Sequence, residues 1–247
     1  MGVYTLVDKS QVPKGHTIVT SKIAWRLKLD GDNKPTKYKA RAVARGFTQR
    51  HGVNFKETFQ PVARIEAVRV FIAAAVASGL PIHQLDFDGA YLQGKADCDI
   101  YMSFPPELNK YGCGIPDGKV CLLQKSLYGL KQAGWIWWQT LSAVLAKHDF
   151  VQSDAEPCCW IRRKNNTEIR IILHVDDGLV TSTCDAERVR VFESIGKELA
   201  HQFNPKPADW YLGCKQDCVA CRVHKGATSF SNKFLALFPT RRTSDRN

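Results

Sequence analysis

What the 247-residue chain lacks narrows its class first. It has no run of about 18 uninterrupted apolar residues, which argues against a helical membrane span, and "MGVYTLVDKSQVPKG" lacks the apolar stretch of a signal peptide. A soluble, intracellular, cytoplasmic location without a membrane partner is the expectation. Low-complexity tracts, internal repeats and long linkers are also missing, so one sizeable core, or two unequal lobes sharing one, is expected. No Asp-Thr-Gly or Asp-Ser-Gly occurs, which excludes an aspartic protease built on those motifs. Acidic residues are the scarce charge: 24 Asp and Glu stand against 35 Lys and Arg, a net of +11. That surplus raises the expectation of a polyanionic partner, nucleic acid above all, although a basic surface also fits mere solubility. The nine cysteines are odd in number and irregularly spaced, and are expected to be mostly reduced core or surface thiols.

What is present reads as alternating elements. Residues 17–29, "TIVTSKIAWRLKL", are rich in β-branched and apolar side chains; the turn-forming "DGDNKPTK" follows, and "YKARAVARGF" resumes. This is a hairpin whose second strand places Lys37, Lys39 and Arg41 on one side, with Arg45 joining them if the strand runs on. "PVARIEAVRVFIAAAVASG" spaces Ile65, Val68, Ile72, Ala75 and Val76 as an amphipathic helix that stops at Gly79. "LPIHQLDF" reads as a buried strand with Asp86 near its end. "AGWIWWQTLSAVLAKHDF" reads as a helix burying Trp138, Leu141 and Leu145. "DAERVRVFESIGKELAHQF" aligns Val189, Phe192, Ile195, Leu199 and Phe203, with Asp185 as a candidate N-cap. The order predicts an α+β fold, a mixed or antiparallel sheet with helices on one face.

Chemistry concentrates in "IILHVDDGLVTS", residues 171–182, where Asp176 and Asp177 sit side by side between apolar runs. An Asp-Gly hairpin turn would explain Asp177 and Gly178 but not Asp176. If the strand ending near Asp86 lies beside this hairpin, three carboxylates converge. Such a cluster is costly unless cations neutralise it, and Mg²⁺ favours a few carboxylates with its other positions left to water and phosphates. Unrelated surface aspartates are the competing account.

The chain resembles the reverse transcriptase domain of copia-type long-terminal-repeat retrotransposons. The segments that carry the likeness are "YKARAVARGFTQRHGVNFKETFQPVARIEAVR" (38–69), "HQLDFDGAYLQG" (83–94), "IYMSFPPE" (100–107), "LQKSLYGLKQAGWIWW" (123–138) and "VDDG" (175–178). The resemblance implies fingers and palm subdomains over residues 1–224, followed by a degenerate or frayed tail, 225–247. It implies a two-metal RNA-directed DNA polymerase that extends a DNA primer on an RNA template with deoxynucleoside triphosphates. Asp86, Asp176 and Asp177 would be the catalytic carboxylates holding two Mg²⁺, or Mn²⁺. Lys39, Arg41 and Arg45 would bind nucleotide or template phosphates, Tyr91 would exclude a 2′-hydroxyl, and Gln132 would pack against the nascent base pair.

The remainder of a Pol polyprotein, integrase and RNase H, is the expected covalent context, and a virus-like particle the expected compartment. Two departures from the pattern are visible. His174 stands where members commonly carry Tyr, and the likeness fades past "DWYLGCKQD" with no thumb of convincing length. A remnant that keeps the fold and nucleic-acid binding without turnover is therefore the main alternative, and a palm-type nucleotidyl cyclase a third. Cys214, Cys218, Cys221 and His224 offer zinc-type donors at a spacing that matches no standard zinc module.

Overall fold

The computed structural model describes residues 2–29, 32–87, 89–199 and 203, and the backbone of short strands at 206–207, 210–211 and 214–215. Of the zinc-type donors, only the backbone of Cys214 falls within these; Cys218, Cys221, His224 and the 225–247 tail lie outside the described residues. The chain divides into two compact units, the first Met1–Gln60 with Gly89–Leu141, the second Pro61–Asp88 with Ser142 onward.

The first unit contains β1 (Tyr4–Asp8), the long strands β2 (Ser21–Leu29) and β3 (Pro35–Ala44), β5 (Tyr101–Met102) and β6 (Lys119–Leu123). β2 and β3 form the expected hairpin ribbon, while β1, β6 and β5 make a separate antiparallel sheet in that order. One apolar cluster, including Val19, Ala44, Ile100, Met102, Cys121, Leu123, Leu127 and Leu130, anchors the unit. Two glycines let backbone approach backbone there. Ala44 N–H donates to the Tyr128 carbonyl at 2.8 Å and Gly46 N–H to that of Gly129 at 3.0 Å. Gly129 has φ +87°, a region that glycine enters without strain.

The second unit is a six-stranded antiparallel sheet, ordered β11 (Lys206–Pro207), β4 (Ile82–Asp86), β10 (Asp177–Ser182), β9 (Thr167–His174), β8 (Cys159–Lys164), β7 (Val151–Gln152). Helix α1 (Ile65–Ala77) and helix α3 (Asp185–Glu198) belong to it, and α2 (Ala133–Lys147) crosses the unit boundary. Strand pairing sorts the residues by face. Ile161, Arg170, Thr181 and Ile82 share the face of Asp86 and Asp177, whereas Arg162 and His83 point to the other.

Helix α3 lies against that other face. Its Glu187 pairs with Arg162 at 2.9 Å, and the same carboxylate is held low first by the Arg190 hydrogen bond and then by that of Arg162. Helix α1 covers part of the aspartate face: Val70, Phe71 and Ala74 line a cavity of about 210 Å³ with Ile161, Arg170 and Ile172. The α+β architecture thus stands, with cover on both faces of the sheet rather than one.

The helices form where periodicity puts them, with local changes of phase. In α3 the buried stripe is Arg188, Val191, Phe192 and Ile195, and Val189 is 40% exposed. The N-cap is Cys184, and Asp185 instead binds the Arg188 guanidinium at 2.6 Å, which allows that cation to be buried. In α2 the fully buried tryptophan is Trp137 rather than Trp138. In α1, Phe71 and Ala74 join the core and Ile65 is partly exposed; Gly79 follows the end with φ +66°, as a glycine stop should. The described cysteines are free thiols, and burial pushes Cys121 up to about 11 and Cys159 up to about 12. Among the described residues no helix is long and apolar enough to cross a membrane.

Candidate catalytic site

Asp86 is the last residue of β4, and the antiparallel register sets it directly opposite Asp177, the first residue of β10. His174, the last residue of β9, pairs with Asp177 from the other side. The hairpin turn is therefore Val175–Asp176, and Asp177–Gly178 opens the strand instead of making the turn. A two-residue loop leaves the register no slack. Val175 has φ +62°, the positive value that a type II′ turn demands at its first central position. For a β-branched residue this conformation costs roughly 1–3 kcal/mol, so the surrounding sheet must impose it. The tip is tied to β4 as well, since Phe87 N–H donates to the Asp176 carbonyl at 2.9 Å. Gly178 has no room for a side chain larger than hydrogen without pressing on Leu173 and the Ile172 carbonyl.

The electrostatics follow from this placement. Burial raises the Asp177 carboxyl above the ordinary carboxylate range, and the charges of Asp176 and Asp86 raise it further; His174 and a hydrogen bond with Gln84 oppose them. Asp86 is exposed, Asp176 and His174 are half-buried, and His174 Nδ1 is buried with no hydrogen-bond partner among the described residues. An all-oxygen donor set with mutually unfavourable charge fits a hard divalent cation. Among the described residues, however, no three His, Cys, Asp or Glu side chains stand close enough to form a metal-ligating group. Asp86 and Asp177 are the pair the register juxtaposes, and Asp176 joins them through the turn.

The other five residues singled out in the sequence belong to the first unit. Register places Lys28 opposite Lys37, Arg26 opposite Lys39, Ala24 opposite Arg41 and Lys22 opposite Val43, so one face of the ribbon carries all six of these cations. Like charges paired across strands oppose folding unless an anion or solvent screens them. Strand β3 ends at Ala44, so Arg45 does not continue the alternation; it is exposed and starts a single 3₁₀ turn.

Tyr91 sits in a 3₁₀ turn, half-buried, with its ring edge-on to Tyr128 at 4.9 Å. Gln132 is completely buried. Its Nε2 donates to the Asn54 carbonyl at 2.8 Å and to Asp97 at 3.1 Å, while its Oε1 accepts from Gln49 at 3.0 Å. Gln49 in turn accepts the Lys131 N–H at 2.8 Å. That knot fastens the 49–54 loop to the 131–132 turn and leaves the Gln132 amide inside the unit. Gln49, Asn54 and Tyr128 escape a reading of the sequence by residue type. Their one signal is their place inside the segments 38–69 and 123–138.

Comparison with known proteins adds an independent line. The family profile described as "Reverse transcriptase (RNA-dependent DNA polymerase)" matches residues 1–238. The Pol polyprotein of transposon RE1 from Arabidopsis thaliana is 37% identical over 232 residues, covering 91% of this chain and 15% of that protein. That of transposon TNT 1-94 from Nicotiana tabacum is 34% identical over 218 residues, 87% of this chain and 16% of that protein. The Ty1-H Gag-Pol polyprotein of Saccharomyces cerevisiae is 31% identical over 170 residues, 67% and 8%. The chain thus spans about a sixth of the two plant relatives and less of the yeast one. A solved foamy viral protease–reverse transcriptase in complex with double-stranded DNA matches over 81% of this chain and 27% of that one, at TM-score 0.33 and 12% identity, too low to add to the assignment. With the profile spanning nearly every residue and over a third of positions shared with the two plant transposon polyproteins, the chain belongs to the reverse transcriptase (RNA-dependent DNA polymerase) family.

Proposed function

We propose that the chain is the RNA-directed DNA polymerase domain of a copia-type retrotransposon Pol polyprotein, which extends a DNA primer on an RNA template. The observation that carries this reading is the direct register of Asp86 and Asp177, with Asp176 at the adjoining turn. Residues 1–224 would be the polymerase region, its first unit acting as fingers and its second as palm.

Asp86 and Asp177 would hold Mg²⁺ or Mn²⁺, with Asp176 as the third carboxylate. Two such ions, when bound, supply activation of the primer 3′-hydroxyl and stabilisation of the charge developing on the α-phosphate and the departing pyrophosphate. The chain's own residues position the reactants. The Val175–Asp176 turn fixes the direction of the carboxylates, and the cationic ribbon face, Lys39 and Arg41 foremost, would take the triphosphate or template phosphates, with Arg45 close by in sequence. Tyr91 would stand below the sugar. Gln132 would act through the loop it fastens rather than by touching a base.

Nucleic acid is the expected partner, and an intracellular, polyprotein-borne setting, with integrase and RNase H elsewhere in the parent protein, is the expected context. One observation favours a second reading, an inactive remnant that retains the fold: among the described residues, the three aspartates do not form a closed metal-ligating group. Primer extension on poly-rA with oligo-dT, with Mg²⁺ and with a chelator, decides between them. Extension by wild type that disappears in Asp86→Asn supports the polymerase. No extension under any divalent cation supports the remnant.

A further inference from the structure

Two residues given separate tasks in the first unit meet on a third that has none. The Arg41 guanidinium carbon lies 5.4 Å from the centre of the Tyr128 ring, within the range in which a cation is attracted to an aromatic face. The Tyr91 ring meets the same Tyr128 ring at 4.9 Å and 79°, an edge-to-face contact. Tyr128 is itself held from behind. Its carbonyl accepts the Ala44 N–H at 2.8 Å, and the next carbonyl, of Gly129, accepts the Gly46 N–H at 3.0 Å. The Tyr128 backbone is therefore clamped to the end of the strand that carries Arg41, and Gly129 at φ +87° is what brings the two backbones so close.

We infer that Tyr128 is a positioning residue of the nucleotide site, aligning the cation that meets the triphosphate with the ring that reads the sugar. The inference rests on the polymerase reading for the roles of Arg41 and Tyr91, while the three-residue stack itself does not. An arginine on a strand otherwise samples many rotamers. An aromatic face beneath it removes most of them before substrate arrives, which lowers the ordering cost of binding. The phenol hydroxyl has no part in this, so phenylalanine should substitute and an aliphatic residue of similar bulk should not.

The test compares wild type, Tyr128→Phe and Tyr128→Leu by two readouts. The first is the Arg41 Nε–Hε resonance, assigned by its loss in Arg41→Lys, which the ring current should displace in wild type and Tyr128→Phe but not in Tyr128→Leu. The second is steady-state extension of oligo-dT on poly-rA. Tyr128→Leu should raise KM for dTTP about tenfold and weaken discrimination against UTP, and both effects should be rescued by Tyr128→Phe.

An Arg41 resonance identical in wild type and Tyr128→Leu overturns the inference. So does a Tyr128→Leu enzyme with wild-type KM and sugar selectivity, whatever its melting temperature. If wild type extends nothing, the polymerase reading fails, and the resonance alone decides whether Tyr128 positions Arg41.

Discussion

Gly46 and Gly129 meet backbone to backbone: the Gly46 N–H donates to the Gly129 carbonyl at 3.0 Å, and a Cβ on Gly46 would overlap that oxygen. Because the obstacle is backbone, no side-chain rotation relieves it. Gly46→Ala should therefore destabilise the protein by roughly 1–3 kcal/mol, as overpacking does. Gly79→Ala, where a Cβ meets no atom of the described residues within 4 Å, should cost only the strain of its positive φ. Chemical denaturation of both variants checks this. Equal losses would mean that the close approach at Gly46 carries no special constraint.

Asp177 gives a pH signature. Burial first, and then the charges of Asp176 and Asp86, raise its pKa in the folded state above the unfolded value. The folded protein then binds the proton more tightly than the unfolded chain, so stability falls as pH rises from the ordinary carboxylate range through the raised value, and stays lower above it. Without divalent cations, Asp177→Asn should thus melt higher than wild type at neutral pH, with the gap closing in acid. Millimolar Mg²⁺ or Mn²⁺ should stabilise wild type and shrink the gap, because ligand bound only to the folded state adds stability. Parallel melting curves across pH that never converge would place Asp177 outside a strained carboxylate cluster.

The Gln132 knot separates two roles. Gln132→Ala empties a buried site and takes one hydrogen bond each from Gln49 and the Asn54 carbonyl, which keep the bond between them, a loss of roughly 1–3 kcal/mol. A direct contact with a base pair would predict the reverse pattern, normal stability with impaired extension. Denaturation midpoints for Gln132→Ala, read beside primer extension, distinguish the two. A stable but inactive variant would return Gln132 to the substrate.

How far the sequence discloses this molecule depends on the reach of each interaction. The β2–β3 ribbon, β4 and the presence of the aspartate hairpin are legible because local composition and turn residues define them, but the hairpin's register is not. The turn itself falls two residues before the Asp-Gly that signals it, since Asp-Gly is the commoner turn pair and nothing local announces a valine at positive φ. The phase of α3 eludes a count of apolar residues because that count overlooks Arg188, which is buried only once Asp185 pairs with it. Arg162 in β8 is hidden for the same reason, paired with Glu187 on another element. The Gln132 knot and the Tyr128 stack join segments some 80 residues apart, and no periodicity encodes such meetings.

The ribbon's cationic face should make nucleic-acid affinity strongly dependent on salt. Six cations share that face, with Lys28 opposite Lys37 and Arg26 opposite Lys39, a concentration of positive charge suited to a polyanion. Binding of an RNA–DNA hybrid should weaken linearly in log affinity against log salt. Lys39→Ala with Arg41→Ala should flatten the slope by about one for each phosphate that the double variant no longer neutralises. Fluorescence anisotropy over a salt series measures it. An unchanged slope in the double variant would move the phosphate-binding cations off this face.

Tyr91 is open to a sharper experiment because its ring is neither free nor fully enclosed. It is half-buried at the edge of the apolar cluster and meets Tyr128 edge-on at 4.9 Å. If the exposed side of the ring lies below the nucleotide sugar, it excludes a 2′-hydroxyl by bulk alone, and selectivity arises from a clash with the larger analogue. Tyr91→Ala should then incorporate UTP far better relative to dTTP, while Tyr91→Phe keeps both the ring and the discrimination. As a packing residue only, Tyr91 would lose stability on truncation, up to about 3–5 kcal/mol for a fully buried ring and less here, without any change in sugar choice. The two accounts part on one comparison, the ratio of dTTP to UTP incorporation efficiency set against the melting temperature of each variant. A lowered melting temperature with an unaltered ratio would confine Tyr91 to the core.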